Sequence, residues 1–187
     1  MPRAGLNPER VVDVAAELVD EVGHDGLTLA AIAERAGVAV PSLYKHVGGI
    51  DDVYARLAVR TVRQLGRVLA DAVDGAAPPV ALRRLATAYR GYARSHPGRY
   101  AATLRAPAPD DAEHLAASQE VLATVLGVLG GYGLDGDDTI DAARFVRSTL
   151  HGFVALEAAG GFGLPRGVDR SFTRIGDALD HALSTWA

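Results

Sequence analysis

Apolar residues near the start of the chain repeat at helical spacing. The repeat is carried by Val11, Ala15, Leu18 and Val22, and acidic residues occupy most of the other side of the predicted helix. Asn7 followed by a proline is typical of a helix start, because asparagine caps the first amides and proline is tolerated in the first turn. Gly23 is expected to end this helix, with residues 24–26 as a loop.

A second and a third helix are predicted to follow, separated by a tight turn. Thr28 is the predicted N-cap of the second helix, and Gly37 supplies the left-handed backbone of the turn. Pro41 falls in the first turn of the third helix, where its missing N–H costs little. Two short helices joined in this way are typical of a helix-turn-helix, whose second helix enters the major groove of DNA.

The remainder of the chain is also predicted to be helical, because no segment shows the alternation of a strand and glycines and prolines separate the apolar runs. The predicted ranges are 51–73, 80–96, 98–104, 111–129, 137–159 and 169–185, with Asp137 and Asp169 as N-caps of the last two. We expect an all-α fold of about nine helices. A helix-turn-helix domain at 1–50 precedes a second helical domain at 51–187, and the long helix at 51–73 connects the two.

Composition limits the class of protein without pointing to nucleic acid. The chain has 187 residues, of which 49% are hydrophobic, and a formal net charge of −4. It contains no cysteine, which excludes disulfides and thiolate chemistry. No signal peptide or membrane-spanning stretch is recognisable, so we expect a cytoplasmic protein. Residues 1–50 hold four basic and seven acidic side chains, so any DNA contact depends on local placement of charge. Lys45, the only lysine, lies on the predicted third helix.

No catalytic arrangement is recognisable in the sequence. Paired carboxylates in a known motif, a nucleophile elbow, a phosphate-binding loop and metal-ligand spacing are all missing. We therefore expect no enzymatic activity, no catalytic residues, no cofactor and no metal site.

Several short runs of residues are specific enough to indicate a family. In chain order these runs are Thr28-Leu29, Ile32-Ala33, Ala36-Gly37-Val38 and Ser42-Leu43-Tyr44-Lys45-His46-Val47, with Asp51 shortly after the last run. In this order the residues resemble the DNA-binding domain of TetR/AcrR transcriptional regulators. The runs at 89–93, 96–100, 150–153 and 157–162 resemble the WHG-type ligand-binding domain of TetR regulators. Together the resemblance covers nearly the whole chain.

The sequence departs from the family pattern at four positions. Ala39 stands where a capping serine is frequent, and Ile50 stands where the family often has a lysine that contacts a phosphate. Val47 is smaller than the usual aromatic residue, and Leu150 replaces the tryptophan of the WHG motif. DNA affinity is therefore expected to depend more on Lys45, Tyr44 and backbone amides.

The predicted DNA contacts divide into base and phosphate contacts. We expect contacts with base edges from Val40, Pro41 and Ser42, of which only Ser42 can form a hydrogen bond. We expect contacts with phosphates from Tyr44, Lys45 and His46. Thr28 is expected to contact another phosphate at the start of the second helix. Three alternatives stay open: Tyr44 packs on the first helix, His46 is a core or capping residue, or Thr28 is only a helix cap.

The second domain is predicted to bind a small molecule and a second copy of the chain. Candidate ligand-binding residues are Tyr89, Tyr92, Tyr100, Arg105, His151 and Phe153, although a core or surface role is open for each. The resemblance implies a homodimer through the last two helices, and the candidate interface residues are Leu150, Val154, Phe172, Leu179 and Leu183. A two-fold dimer suits an operator with two half-sites.

These observations predict a sequence-specific regulator of transcription, a repressor that a small-molecule ligand releases from double-stranded operator DNA. The ligand would shift the long connecting helix and change the separation of the two recognition helices. The alternative is a small helical ligand-binding protein or enzyme that keeps a vestigial helix-turn-helix. An activator is a third possibility that the sequence does not separate from a repressor.

Overall fold

The structure is a computed structural model that describes residues 5–186. This part of the chain forms nine helices and no strand, which confirms the predicted all-α fold. The helices are α1 Pro8–Gly26, α2 Leu29–Ala36, α3 Val40–Leu43, α4 Ile50–Val73, α5 Pro78–Ser95, α6 Pro97–Ala102, α7 Ala112–Gly130, α8 Gly136–Ala158 and α9 Val168–Ser184.

The described chain packs as two compact units. The first contains the chain up to Val62 together with His96–Leu115, and the second contains Arg63–Ser95 and the chain from Ala116 onward. Helix α4 therefore contributes residues to both units. Helix α6 belongs to the first unit, although the sequence analysis assigns it to the second domain.

The first unit is built around α1, whose apolar stripe is buried under α2, α3 and the start of α4. Val11, Ile32, Leu43 and Leu57 are fully buried there. The predicted caps of α1 and α2 are confirmed. Asn7 Oδ1 accepts a hydrogen bond from the Arg10 amide, and Thr28 Oγ1 accepts one from the Ala31 amide.

Two local details of the first unit differ from the prediction. Gly23 has a left-handed φ of 73° and interrupts α1, but the chain then completes another helical turn to Gly26 instead of forming an open loop. Helix α3 ends at Leu43, and the next three residues form turns held by the His46 and Val47 amides, which donate to the Leu43 carbonyl. Gly37 has the predicted left-handed φ, 70°.

The second unit has its core where α5 packs against α8 and α9. Leu82 and Leu85 from α5 are buried there with Leu150 from α8 and Leu179 from α9. The predicted caps of the last two helices are wrong: Asp135 and Gly167 occupy those positions, and Asp137 and Asp169 lie in the first turns. An acidic residue in the first turn and an acidic cap look alike in sequence, because both are favoured at the positive end of a helix.

Candidate DNA-binding surface and regulatory unit

The segment that follows Gly37 combines a buried anchor with exposed polar side chains. Leu43 is fully buried in the first unit, and Val47 is 3% exposed. Between them, Tyr44 is 59% exposed and Lys45 is also exposed, whereas His46 is half-buried. Tyr44 is therefore not packed against α1. Leu43 and Val47 fix the turn at residues 44–46, which we call the recognition turn, and Tyr44 and Lys45 on this turn are exposed to solvent.

The start of α3 offers few groups for reading base edges. Its N-cap, Ala39, makes no side-chain capping hydrogen bond. Pro41 is exposed, Ser42 is half-buried, and Val40 packs partly against the core of the first unit. Ser42 supplies the one side-chain hydroxyl of this turn, as the sequence analysis predicts.

Thr28 caps α2, and its exposed hydroxyl keeps a proton to donate. Its hydroxyl oxygen caps α2 by accepting a hydrogen bond from the Ala31 amide at 3.1 Å. The residue is exposed, and a hydroxyl that accepts one hydrogen bond still has its own proton to donate. Capping therefore does not exclude a phosphate contact at the start of α2.

Ion pairs neutralise three of the arginines within residues 5–62 of the first unit. Arg35 donates two hydrogen bonds to Glu21, of 2.9 and 2.6 Å, and this contact lowers the pKa of the Glu21 carboxyl. Arg56 pairs with Asp52, while Arg60 pairs with Asp13 and lies 3.8 Å from Glu9.

The cations of the first unit that remain outside these pairs are few. Within residues 5–62, Arg10 and Lys45 take part in no ion pair. Lys45 therefore places a positive charge on the recognition turn, although residues 1–50 as a whole are acidic. A phosphate that approaches this turn does not have to displace a carboxylate from Lys45.

The six predicted ligand-binding residues are placed in different environments. Tyr89 and Tyr92 are buried in α5, and the Tyr92 hydroxyl lies 3.4 Å from Gln64 Oε1. Phe153 is buried in α8, and His151 is half-buried beside it. Tyr100 is buried in the first unit, where Arg105 is exposed in the connection after α6. The structure does not gather the six around one described cavity.

A cavity of about 360 Å³ lies elsewhere in the second unit. It is formed where α4 ends, α5 begins and α7 passes. Its lining is mostly alanine, glycine and valine, with one carboxylate and one hydroxyl: Ala70, Val73, Asp74, Gly75, Ala76, Pro78, Ala81, Ala123, Thr124, Gly127 and Val128. None of the predicted ligand-binding residues lines it.

An arginine that the sequence analysis did not single out organises the second unit. Arg90 is 8% exposed and donates hydrogen bonds to Glu157 at 2.8 and 2.5 Å and to Asp169 at 2.7 Å. Its guanidinium carbon lies 5.5 Å from the ring centre of Phe153 and 4.7 Å from that of Phe172. Arg90 thus joins α5 to α8 and α9. The signal in the sequence is its position on the apolar stripe of α5, where an arginine requires an acidic partner.

The five predicted dimer residues are buried within the single chain. Leu150, Val154, Phe172, Leu179 and Leu183 are between 1% and 7% exposed. They form the inner faces of α8 and α9, so a partner would meet the opposite faces. On α8 that face includes Gly152 and Leu156, both of which are exposed, and Ile140 is an exposed apolar residue on another side of the helix.

Comparison with known families accounts for both units. The family model for the N-terminal part of bacterial regulatory proteins of the tetR family matches residues 11–57, and that for the tetracyclin repressor-like C-terminal domain matches residues 82–179. The chain belongs to the TetR family. It is therefore a DNA-binding regulator of transcription with a helix-turn-helix, as the residues at 28–47 predict.

Individual relatives of this TetR-family regulator agree with that assignment. An uncharacterized HTH-type transcriptional regulator of Mycobacterium tuberculosis, Rv0681, is 40% identical over 158 residues, 84% of this chain and 72% of the relative. The class D tetracycline repressor protein of Escherichia coli is 50% identical over 44 residues, 24% of this chain and 20% of the relative.

A solved structure shares the fold over almost the whole length. The TetR regulator SCO7222 from Streptomyces coelicolor superposes with a TM-score of 0.75, covering 97% of this chain and 99% of that one at 18% identity. Within residues 5–186 of the TetR-family chain, no helix is both long and apolar enough to cross a membrane.

Proposed function

We propose that this TetR-family regulator is a cytoplasmic repressor that binds operator DNA as a homodimer and leaves it when a small molecule binds its second unit. The observation that carries this proposal is the recognition turn. Leu43 anchors the turn in the core, while Tyr44 and Lys45 extend into solvent. Lys45 makes no ion pair among the described residues, which suits a phosphate contact.

DNA contacts are proposed for the seven residues that the sequence predicts. Ser42 donates to or accepts from a base edge, and the apolar groups of Val40 and Pro41 contact thymine methyls. Tyr44, Lys45 and His46 contact phosphates, and Thr28 holds another at the start of α2. The scarcity of base-reading groups at the start of α3 implies that DNA shape supplies part of the specificity.

The homodimer forms through the outer faces of α8 and α9. A Cβ added at Gly152 would meet no atom within 4 Å, so the middle of α8 is open on this side. Leu156, which is 52% exposed and follows Gly152 by one helical turn, adds apolar surface on the same side. A two-fold dimer places two recognition turns on half-sites about 34–36 Å apart.

Release from DNA requires an effector that binds the DNA-incompetent state more tightly. Two places in the second unit support an effector: the cavity of about 360 Å³ beside Asp74, and the buried tyrosines of α5, Tyr89 and Tyr92. Helix α4 contributes residues to both units, so a shift of α4 is the proposed route to the DNA-binding unit. The class D tetracycline repressor protein matches this chain over only 44 residues, so its name supports repression and does not indicate this chain's effector.

Fluorescence anisotropy with labelled DNA from upstream of the protein's own gene tests the proposal. We expect tight binding to one palindromic fragment, weak binding to a shuffled fragment, and an affinity that falls steeply with salt. Small-molecule extracts added to the complex should then identify an activity that releases the DNA. Equally weak binding to every fragment would instead support a ligand-binding protein with a vestigial helix-turn-helix. Tight, specific binding that no extract relieves would contradict release by an effector.

A further inference from the structure

Tyr54, in the second turn of α4, holds the connection between α1 and α2. Its hydroxyl lies 2.6 Å from the carbonyl oxygen of His24 and 3.1 Å from that of Leu27, so it donates to both or alternates between them. Its ring stacks on the His24 imidazole, with ring centres 4.3 Å apart and an angle of 30° between the planes. One side chain of α4 thus contacts both the last turn of α1 and the connection to α2.

Few other contacts fix the last turn of α1 and the two residues that connect it to α2. Residues 22–26 are exposed, and Gly23 breaks the helical backbone with a φ of 73°. Leu27 is buried at 2% exposure and its amide donates to the His24 carbonyl at 3.2 Å. Besides the buried Leu27 side chain and the hydrogen bond from its amide, the hydrogen bonds from Tyr54 fix the two carbonyls before α2.

The position of these carbonyls determines the start of α2. Leu27 directly precedes Thr28, whose hydroxyl caps the helix through the Ala31 amide. Rotation of the peptide between Leu27 and Thr28 would move both the hydroxyl and the first free amides of α2. Those are the groups that a helix offers to a phosphate.

We infer that Tyr54 is a positioning residue for DNA binding: through the His24 and Leu27 carbonyls it sets the start of α2 for its phosphate contact. A displacement of α4 then changes the position of the start of α2 through Tyr54 as well as through the packing of the core. This inference rests on the proposed phosphate contact of Thr28.

The test is a double-mutant cycle in operator binding with Tyr54→Phe and Thr28→Ala. Tyr54→Phe keeps the ring stacked on His24 and removes only the hydroxyl. We expect it to weaken operator binding about fivefold, the equivalent of one neutral hydrogen bond. In the Thr28→Ala background the same change should cost less than about twofold, because the group that Tyr54 positions is then missing. Hydrogen exchange should also become faster at the Ala31 amide of the Tyr54→Phe variant.

Tyr132→Phe is the matched control. It removes another phenol hydroxyl, one that donates to Asp180 at 2.6 Å in the second unit. We expect this variant to lose thermal stability and to keep its operator affinity, which separates positioning from a general loss of folding.

The outcomes are distinguishable. If Thr28→Ala has the operator affinity of the wild type, the proposed phosphate contact is wrong, and the positioning role inferred for Tyr54 is wrong as well. If Thr28→Ala weakens binding but Tyr54→Phe does not, the inference about Tyr54 alone is overturned. Equal losses from Tyr54→Phe in both backgrounds would also overturn it, since Tyr54 would then act independently of Thr28.

Discussion

The carboxylate of Asp20 in α1 accepts two hydrogen bonds from Arg99 in α6, one from the backbone amide at 2.8 Å and one from Nε at 2.6 Å. His96 Nδ1 lies 3.4 Å from the same carboxylate. The hydrogen bonds between Arg99 and Asp20 join residues that are 79 positions apart in sequence. They explain why α6, which follows the long helices α4 and α5 in the chain, packs as part of the DNA-binding unit.

Gly98→Ala is predicted to destabilise the first unit by more than about 2 kcal/mol, because α6 has no room for a side chain there. A Cβ on Gly98 would overlap the backbone carbonyl of Val19 and lie 2.8 Å from the Asp20 amide nitrogen. Backbone atoms of α1 cannot rotate aside, so the two helices would have to separate. Urea denaturation followed by circular dichroism measures the loss.

Gly91→Ala is the control for that substitution. Gly91 is an exposed glycine within α5, and a Cβ there would meet nothing within 4 Å. Alanine should raise the free energy of unfolding by about 0.5–1 kcal/mol, since it has the higher helix propensity. A Gly98→Ala variant as stable as the wild type would show that α6 does not press on α1 in solution.

The ion pair between Arg90 and Glu157 is predicted to make stability depend on acid pH. The hydrogen bonds from Arg90 hold the pKa of Glu157 below its ordinary value of 4.5, against the opposing effect of burial. The stabilisation is therefore complete above about pH 4.5 and is lost as the pH falls through the lower pKa of the folded state. At pH 7, Glu157→Gln should reduce the free energy of unfolding by about 1.5–3 kcal/mol.

Unfolding curves of the wild type and the Gln variant from pH 7 to pH 3 measure this difference. The difference in the free energy of unfolding between the two proteins should decrease as the pH falls below 4.5. Asp169→Asn is the control, because Asp169 also contacts Arg90 but its side chain is 84% exposed, so its loss should cost less than about 1 kcal/mol. A gap that stays constant with pH would mean that Glu157 carries no charge-dependent stabilisation.

Local signals in the sequence predict the helices of this protein well. Asn7, Thr28 and Gly37 act within four residues of the atoms they contact, so their roles can be predicted from short patterns. Pro97 ends α5 in the same local way. Asp169 shows the limit: it resembles a helix cap, but its carboxylate contacts Arg90, a partner that no short pattern reveals.

The buried and exposed positions from Ser42 to Val47 could be predicted from sequence, whereas the end of α3 at Leu43 and the dimer and effector surfaces could not. The residues from Ser42 to Val47 are contiguous, and their order distinguishes buried from exposed positions. Leu150 and Leu179 form apolar stripes, but a stripe does not say whether the same chain or a second copy covers it. In the structure the same chain covers both. The candidate effector residues depend on how distant helices pack, which local patterns do not contain.

Lys45→Ala is predicted to weaken operator binding between about tenfold and a hundredfold, because each dimer would lose two solvent-exposed phosphate contacts of about 0.7–1.4 kcal/mol each. The slope of log affinity against log salt should fall by about 1.8, since each lost contact contributes about 0.9. Lys45→Arg should keep most of the affinity. Anisotropy titrations at several salt concentrations measure both quantities.

Arg67→Ala is the control for Lys45, since Arg67 is an exposed cation of α4 in the second unit. It should leave the salt slope unchanged. Unaltered affinity and slope in Lys45→Ala would place the phosphate contacts elsewhere, and Arg10, the other cation of residues 5–62 outside the ion pairs, would be the next candidate.

Gly152→Glu is predicted to convert the dimer to a monomer. Gly152 lies in the middle of α8 and faces open space in the single chain, so a glutamate there does not disturb the fold. In a two-fold interface it would instead place a carboxylate from each copy against the other, without a compensating partner. Light scattering during size-exclusion chromatography should give the monomer mass of 19.5 kDa, and operator affinity should fall at least tenfold because single half-sites bind weakly. Gly91→Glu, on the exposed side of α5, should remain a dimer with unchanged operator affinity. If Gly152→Glu also remains a dimer, the interface does not include the middle of α8, and the exposed residues of α9 become the surface on which the two-fold axis must lie.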